Sequence, residues 1–208
     1  MKYRIKRKIG YVLVVAMLVV MIYPGELSAA SGQEDGFVIK GTTLQGYVGA
    51  ENAVVIPDNI TKIDDDVFLN TTITSVEIPD SVTTIGDYAF SGCKGLVSIS
   101  FPKNVTSVGE RAFSDCANIG AIFFNGNAPS IAEDAFKGVN AIAFYPLTDA
   151  TWNSRKSDYG GTLYWASYDP AKEIVASGLC GENIIWQIDK NGVLTVKGSG
   201  VLTDVSWW

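Results

Sequence analysis

The sequence contains no histidine anywhere in its 208 residues. That absence excludes a Ser-His-Asp triad, a Cys-His dyad, histidine-ligated zinc and every imidazole acid–base scheme together. Only carboxylate pairs or lysine stay open to catalysis. Cysteine is scarce and odd in number, at Cys93, Cys116 and Cys180 with no CxxC pair, so no disulfide framework is indicated. A long hydrophobic run is missing too. The stretch Ile9–Tyr23 has 15 residues, short of the about 20 that a spanning helix needs. Positive charge is in deficit, with 16 Lys and Arg against 22 Asp and Glu.

The short apolar run has a telling setting. Lys2, Arg4, Lys6, Arg7 and Lys8 precede it, Pro24 and Gly25 break it, and Ser28 and Ala30 offer small residues for cleavage. Residues 1–30 therefore read as a secretory signal peptide rather than a membrane anchor. A lipoprotein needs a cysteine just after the cleavage point, and the first here is Cys93, so lipid anchoring there is excluded. The leader is net positive, which leaves the remaining chain at about −10. Such an acidic product does not gather nucleic acid or anionic lipid. Membrane contact is expected only through the leader during export.

What the chain does have is a repeat. Phe68, Phe90, Phe113 and Phe136 recur at intervals of 22, 23 and 23 residues. Five residues before them stand Ile63, Ile85, Val108 and Ile131, and Ile73, Leu96 and Ile119 follow the first three. Val76, Ile99 and Ile122 form the next apolar column, and Pro57, Pro79 and Pro102 recur with them. A period in the twenties with this skeleton predicts a solenoid, whose units bury their apolar sides only against one another. "ITSVE" and "LVSIS" alternate apolar and polar residues, the mark of a half-buried strand. "GDYAFSGC" and "GERAFSDC" read as single helical turns. Each rung is thus expected to hold a strand, a turn at Pro, a second short extended piece and a helical turn.

The stretch "IPDSVTTIGDYAFSGCKGL" closely resembles the BspA-like leucine-rich repeat of bacterial surface and secreted proteins. "FVIKGTTLQGYVGAENAVVIPDNITKI" is similar to the first half-repeat of that family, and "FYPLTDATWNSRKSDYGGTLYWASYD" to its closing segment. The resemblance covers about residues 37–169 and departs in the fourth copy, "FNGNAPSIAEDAFKG", which lacks the Cys and the Ile-Pro. It implies a capped leucine-rich-repeat solenoid of parallel β rungs, and a secreted or cell-surface adhesion or interaction module. The expected layout is 1–30 leader, 31–53 linker and N-terminal cap, 54–146 repeats, 147–169 C-terminal cap, and 170–208 a short linker with a partial β unit. Within the closing cap, a helix is predicted from Thr148, as N-cap, to Tyr159, stopped by Gly160 and Gly161. Trp152 and Trp165 are expected to cover the last rung.

The tail "GLCGENIIWQIDKNGVLTVKGSG" predicts a β-hairpin. Ile184, Trp186 and Ile188 alternate, Lys190–Gly192 turn, and Leu194 and Val196 alternate again. It resembles a short all-β repeat of large clostridial-type secreted proteins, with Cys180 as a packing residue. The final "VSWW" reads as part of an element that continues in a longer design.

Several columns invite chemistry. Cys93 and Cys116 share a slot that Asn70 is expected to occupy in the first copy. There they read as buried reduced thiols satisfying loop backbone rather than as a disulfide. Asp65, Asp87, Glu110 and Glu133 share another slot. A calcium column needs six or more oxygens from closed loops, so each acid reads instead as a residue of a helical first turn. The N-x-T triplets at Asn59, Asn70 and Asn104 would be glycosylation acceptors in a secreted eukaryotic chain, but two of them follow from the repeat pattern itself. No catalytic residue, metal or cofactor is assigned.

The outward strand positions are the binding candidate: Ser75, Glu77, Ser98, Ser100, Ala121 and Phe123. Phe123 is the odd member and has two open readings, a partner anchor or a residue packed under the closing cap. Four rungs at about 4.8 Å span about 20 Å, small for an interface burying about 800 Å² per partner. Weak, multivalent binding of a host or bacterial surface protein or polysaccharide is therefore expected. The alternative is a non-catalytic flank of a larger secreted wall- or polysaccharide-active enzyme. A carboxylate-pair glycosidase would need two acids flanking a cleft, and the regular acid column argues against it.

Overall fold

The computed structural model describes residues 36–171, together with the backbone of three strands between 174 and 198. The predicted leader, Cys180 and the turn Lys190–Gly192 lie outside the described residues. In chain order the strands are β1 (Phe37–Lys40), β2 (Thr43–Tyr47), β3 (Ala53–Val55), β4 (Lys62–Ile63) and β5 (Ser75–Glu77). They continue with β6 (Thr84–Ile85), β7 (Ser98–Phe101), β8 (Ser107–Val108), β9 (Ala121–Phe124) and β10 (Ser130–Ile131). β11 (Asn140–Pro146) and β12 (Thr162–Tyr168) close the array, and β13 (Ile174–Leu179), β14 (Ile184–Asp189) and β15 (Leu194–Gly198) follow.

Each rung crosses two ladders. One sheet runs β1-β2-β4-β6-β8-β10, parallel after the antiparallel β1–β2 start. On the other side β7, β9, β11 and β12 pair in parallel, with β3 and β5 forming a separate parallel pair. The 22–23-residue period therefore returns the chain to its own track, one rung higher. The chain is a leucine-rich-repeat solenoid.

The phenylalanine column is its axis. Ring centroids stand 4.9 Å apart from Phe68 to Phe90, 5.0 Å from Phe90 to Phe113 and 5.5 Å from Phe113 to Phe136, all nearly parallel. All four side chains are fully buried. Such stacking adds roughly 0.5–1.5 kcal/mol per pair beyond area burial. Tyr47 and Phe37 extend the column toward the N-terminus. A second column, Phe101 on Phe124 at 4.8 Å, meets Trp152 and Trp165 at the other end.

The segments read as helical turns are successive tight turns instead. Leu69 N–H donates to Asp66, Thr71 to Phe68, Ser91 to Tyr88 and Cys93 to Phe90, each a span of three residues. Two left-handed residues in each of the first three rungs, and one in the fourth, keep a helix from forming. One column is Asp66, Tyr88 and Arg111; the other is Asn70, Gly92, Asp115 and Gly138. That second column corrects the expected first-copy alignment. Asn70 matches Gly92, and the slot of Cys93 is held by Thr71, whose hydroxyl likewise donates to the Phe68 carbonyl.

The predicted helix Thr148–Tyr159 is reduced to a 3-10 turn, Ala150–Ser154. Its N-cap is Asp149 rather than Thr148, the carboxylate accepting from the Thr151 N–H at 2.8 Å and the Thr151 hydroxyl at 2.6 Å. Trp152 is the one buried residue in the turn, and residues 153–158 are exposed. Without a continuous apolar stripe, nothing holds a longer helix on the core. In the tail, β14 and β15 pair antiparallel, and β13 adds a third strand that the hairpin reading did not contain.

Candidate functional site

Along the second side of each rung, residues alternate between core and outside. Val54, Ile99, Ile122 and Ala143 are buried in the main core, with Val76 and Trp165 packed against it. The residues between them point outward. Register aligns Ala53 with Ser75, and Ser98 with Ala121, Ile142 and Tyr164. A second row holds Val55 with Glu77, and Ser100 with Phe123, Phe144 and Ala166. All six candidate residues therefore share the outer face. Ser75 and Glu77 sit on the two-stranded sheet, and Ser98, Ser100, Ala121 and Phe123 on the four-stranded one.

The face changes character along the array. Ser75, Glu77 and Ser100 are exposed, and Ser98, Ala121 and Phe123 are half-buried. Beyond them Ile142, Phe144 and Ala166 are buried in a cluster separate from the main core, with Phe123, Tyr164 and Tyr168 packed against it. Phe123 stacks on Phe144 at 4.8 Å, which places it in this packing. Ser100 is tied into a short chain: its hydroxyl oxygen accepts from the Asn125 amide at 2.9 Å, and the Tyr168 hydroxyl donates to the Asn125 carbonyl oxygen at 3.0 Å. Burial pushes the Tyr168 hydroxyl pKa up. The sequence reading stopped at Phe123. The alternation in "NAIAFYP" was the available signal that Ile142 and Phe144 extend the same face.

The acid column does structural work between rungs. Asp65 Oδ1 accepts the Asp87 backbone N–H at 2.9 Å, and Asp87 Oδ1 accepts that of Glu110 at 2.7 Å. This corrects the reading of these acids as helix-first-turn residues, since no helix stands there. One oxygen each of Asp65 and Asp87 is thus committed to a backbone donor, which is poor geometry for a general acid and base. Among the described residues, no three acidic or thiol side chains converge as metal ligands. Arg111 Nε donates to Asp134 at 2.8 Å one rung on, and the guanidinium holds that carboxyl below the usual carboxylate range.

The two thiols are equally occupied. Cys93 Sγ donates to the Phe68 carbonyl and Cys116 Sγ to that of Phe90, each at 3.0 Å, and both residues are free cysteines. Thr61 and Thr106, which close two of the N-x-T triplets, form a further ladder with Thr83 between them: Thr83 Oγ1 donates to the Thr61 carbonyl and Thr106 Oγ1 to that of Thr83. The columns of polar residues away from the outer face thus serve neighbouring rungs.

Among the described residues no helix is long and apolar enough to cross a membrane. No curated protein matches the chain. Among solved structures it is similar to a leucine-rich repeat protein from Bacteroides capillosus, at 24% identity over 53% of this chain and 96% of that one, with a TM-score of 0.41. It is similar also to one from Eubacterium ventriosum, at 20% identity over 65% of this chain and 40% of that one, TM-score 0.47. A leucine rich cell surface protein from Faecalibacterium prausnitzii matches at 18% identity over 80% and 60% of the two chains, TM-score 0.27. The family described as the BspA type leucine rich repeat region matches residues 49–151 in six copies. Spacing, stacked rungs and family match agree, and the repeat region of this chain, residues 49–151, belongs to the BspA type leucine rich repeat family.

Proposed function

We propose that this chain is a non-catalytic interaction module, secreted or held at a cell surface, that binds a surface protein or polysaccharide through the outer face of its central rungs. One observation carries the reading. Ser75, Glu77 and Ser100 are exposed on the same outer side of the rungs, across two sheets, while Asp65, Asp87, the thiols and the threonines of the other columns are engaged between rungs. A surface that the core does not constrain is where a solenoid can carry recognition. The family membership supports a binding role rather than chemistry, and the leader read in residues 1–30 supports export.

The exposed part of the face spans only a few rungs at about 4.8 Å each, so a single copy binds weakly and clustered copies bind by avidity. The test is a binding screen of the chain displayed on a multivalent bead, against matrix proteins and against wall polysaccharide. The substitutions Glu77→Lys and Ser75→Arg should abolish capture while leaving the melting temperature unchanged. Capture that survives both changes, or no capture by either class, would overturn the proposal.

A further inference from the structure

We infer that the cleft between the turn of the fourth rung and the closing cap binds an uncharged sugar. The observation begins where the repeat breaks. The turns of the first three rungs read Pro57-Asp58-Asn59, Pro79-Asp80-Ser81 and Pro102-Lys103-Asn104, and the fourth reads Asn125-Gly126-Asn127. In the two rungs before it, the last residue of the turn is bonded backward. Ser81 Oγ donates to the Ile60 carbonyl and Asn104 Nδ2 to that of Asp80, each at 2.7 Å. The matching acceptor for Asn127 is the Lys103 carbonyl. Gly126 lies against that oxygen, so closely that a Cβ at residue 126 would collide with it. Among the described residues nothing bonds the Asn127 amide. It lines a cleft of about 500 Å³ instead, within the size range of small-molecule sites.

The cleft is held in shape from both sides. Residues 125–127 of the turn and 148–151 of the cap line it, with Pro146 and Pro170. Trp152 Nε1 donates to the Gly126 carbonyl at 3.0 Å and the Ala128 N–H to Thr151 Oγ1 at 2.8 Å, which ties turn to cap. The Thr151 hydroxyl donates in turn to Asp149 Oδ1. Among the described residues that leaves Asp149 Oδ2, the Thr148 hydroxyl and the Asn127 amide open to a ligand. The lining then selects by elimination. It holds no lysine or arginine, and Asp149 repels a phosphate, sulfate or uronate. That one acid, half committed to Thr151, falls short of the six or more oxygens that calcium takes. No apolar side chain larger than proline lines it, so an aromatic or lipid anchor has no pocket. An uncharged polyol fits what is left. The carboxylate oxygen accepts from sugar hydroxyls, the amide both donates and accepts, and the threonine does either. The site adds to the face at Ser75 and Glu77 and does not depend on it. Asn125, which bonds Ser100, joins the two.

The experiment titrates the whole isotope-labelled chain with cellobiose, maltose and N,N′-diacetylchitobiose, read by NMR. At least one of the three should shift the Asn125 and Asn127 side-chain amides and the Gly126 N–H to saturation. Asn127→Ala should weaken that binding about tenfold at an unchanged melting temperature, because the side chain holds nothing in the fold. Asn104→Ala, in the same column but bonded to its neighbouring rung, should bind as the wild type does, and so should Glu77→Lys. Glucuronic acid should shift none of these signals. Saturable shifts with none of the three disaccharides would overturn the inference. So would wild-type affinity in Asn127→Ala, or equal binding of glucuronic acid. Loss of binding in Glu77→Lys would also overturn it, by placing the sugar on the outer face.

Discussion

Asp87 reaches one rung along the solenoid to accept the Glu110 backbone N–H at 2.7 Å, and it can do so because residue 109 is glycine. A Cβ at Gly109 would stand 2.4 Å from Asp87 Oδ1 and 2.6 Å from the Gly86 carbonyl carbon. Gly86 stands in the same relation to Asp65, also at 2.4 Å. Over Glu110, whose side chain is longer, the matching residue is Ala132. Glycine thus appears where the rung below carries an aspartate bonded to backbone.

Gly109→Ala should therefore destabilise the fold by about 1–3 kcal/mol, the range for overfilling a packed site. Gly120 is the control, because a Cβ there meets nothing within 4 Å. Gly120→Ala should change stability by no more than about 0.5 kcal/mol. Urea unfolding of the two variants checks the contrast. Equal effects would mean that the Asp87 contact does not set the choice of glycine.

The spacing of Phe68, Phe90, Phe113 and Phe136 carried most of the fold, because a solenoid transcribes sequence period directly into stacking distance. Details that depend on backbone handedness were less visible. Asn70, Gly92, Asp115 and Gly138 share no polarity or size, yet all four are types that accept a left-handed φ. Reading that shared tolerance would have set the first copy in register and put Thr71 opposite Cys93. The closing helix failed for another reason: Thr148 and the two glycines are good boundary signals, but only Trp152 between them has a core to enter. On the outer face, Ser75, Glu77 and Ser100 were legible from period-two alternation. The burial of Phe144 was not, since it depends on Tyr164 and Tyr168 of β12 packing against the same cluster.

The buried thiols give the chain a pH signature. Contact with Cys93 and burial both push the Cys116 thiol above its ordinary value of 9.0. The folded state then holds a proton that the unfolded state releases from about pH 9 upward. Stability from this group is complete below pH 9 and is lost as pH rises beyond it, by about 1.4 kcal/mol per pH unit. The same contact lowers the Cys93 thiol, so both are removed together: the stability difference between the wild type and the double variant Cys93→Ser/Cys116→Ser should fall as pH rises above 9. A difference that stays flat to pH 10.5 would contradict the assigned shift. In the same range, thiol reagents should modify Cys116 only at the rate of unfolding.

Trp152 closes the second aromatic column, and its loss should act locally. The side chain is fully buried, packs on Phe124 at 4.7 Å and Trp165 at 5.4 Å, and donates from Nε1 to the Gly126 carbonyl at 3.0 Å. Trp152→Phe keeps a ring but drops the donor, which should cost about 1 kcal/mol. Trp152→Ala opens a cavity at the array end and should cost about 3–5 kcal/mol. Because each rung contacts its neighbours only, the opening should stay near β11 and β12. Amide exchange there should accelerate well before exchange in β6 and β8. Uniform acceleration through all rungs would instead show that the closing tryptophan governs the cooperativity of the whole solenoid, and that the rungs have no stability of their own.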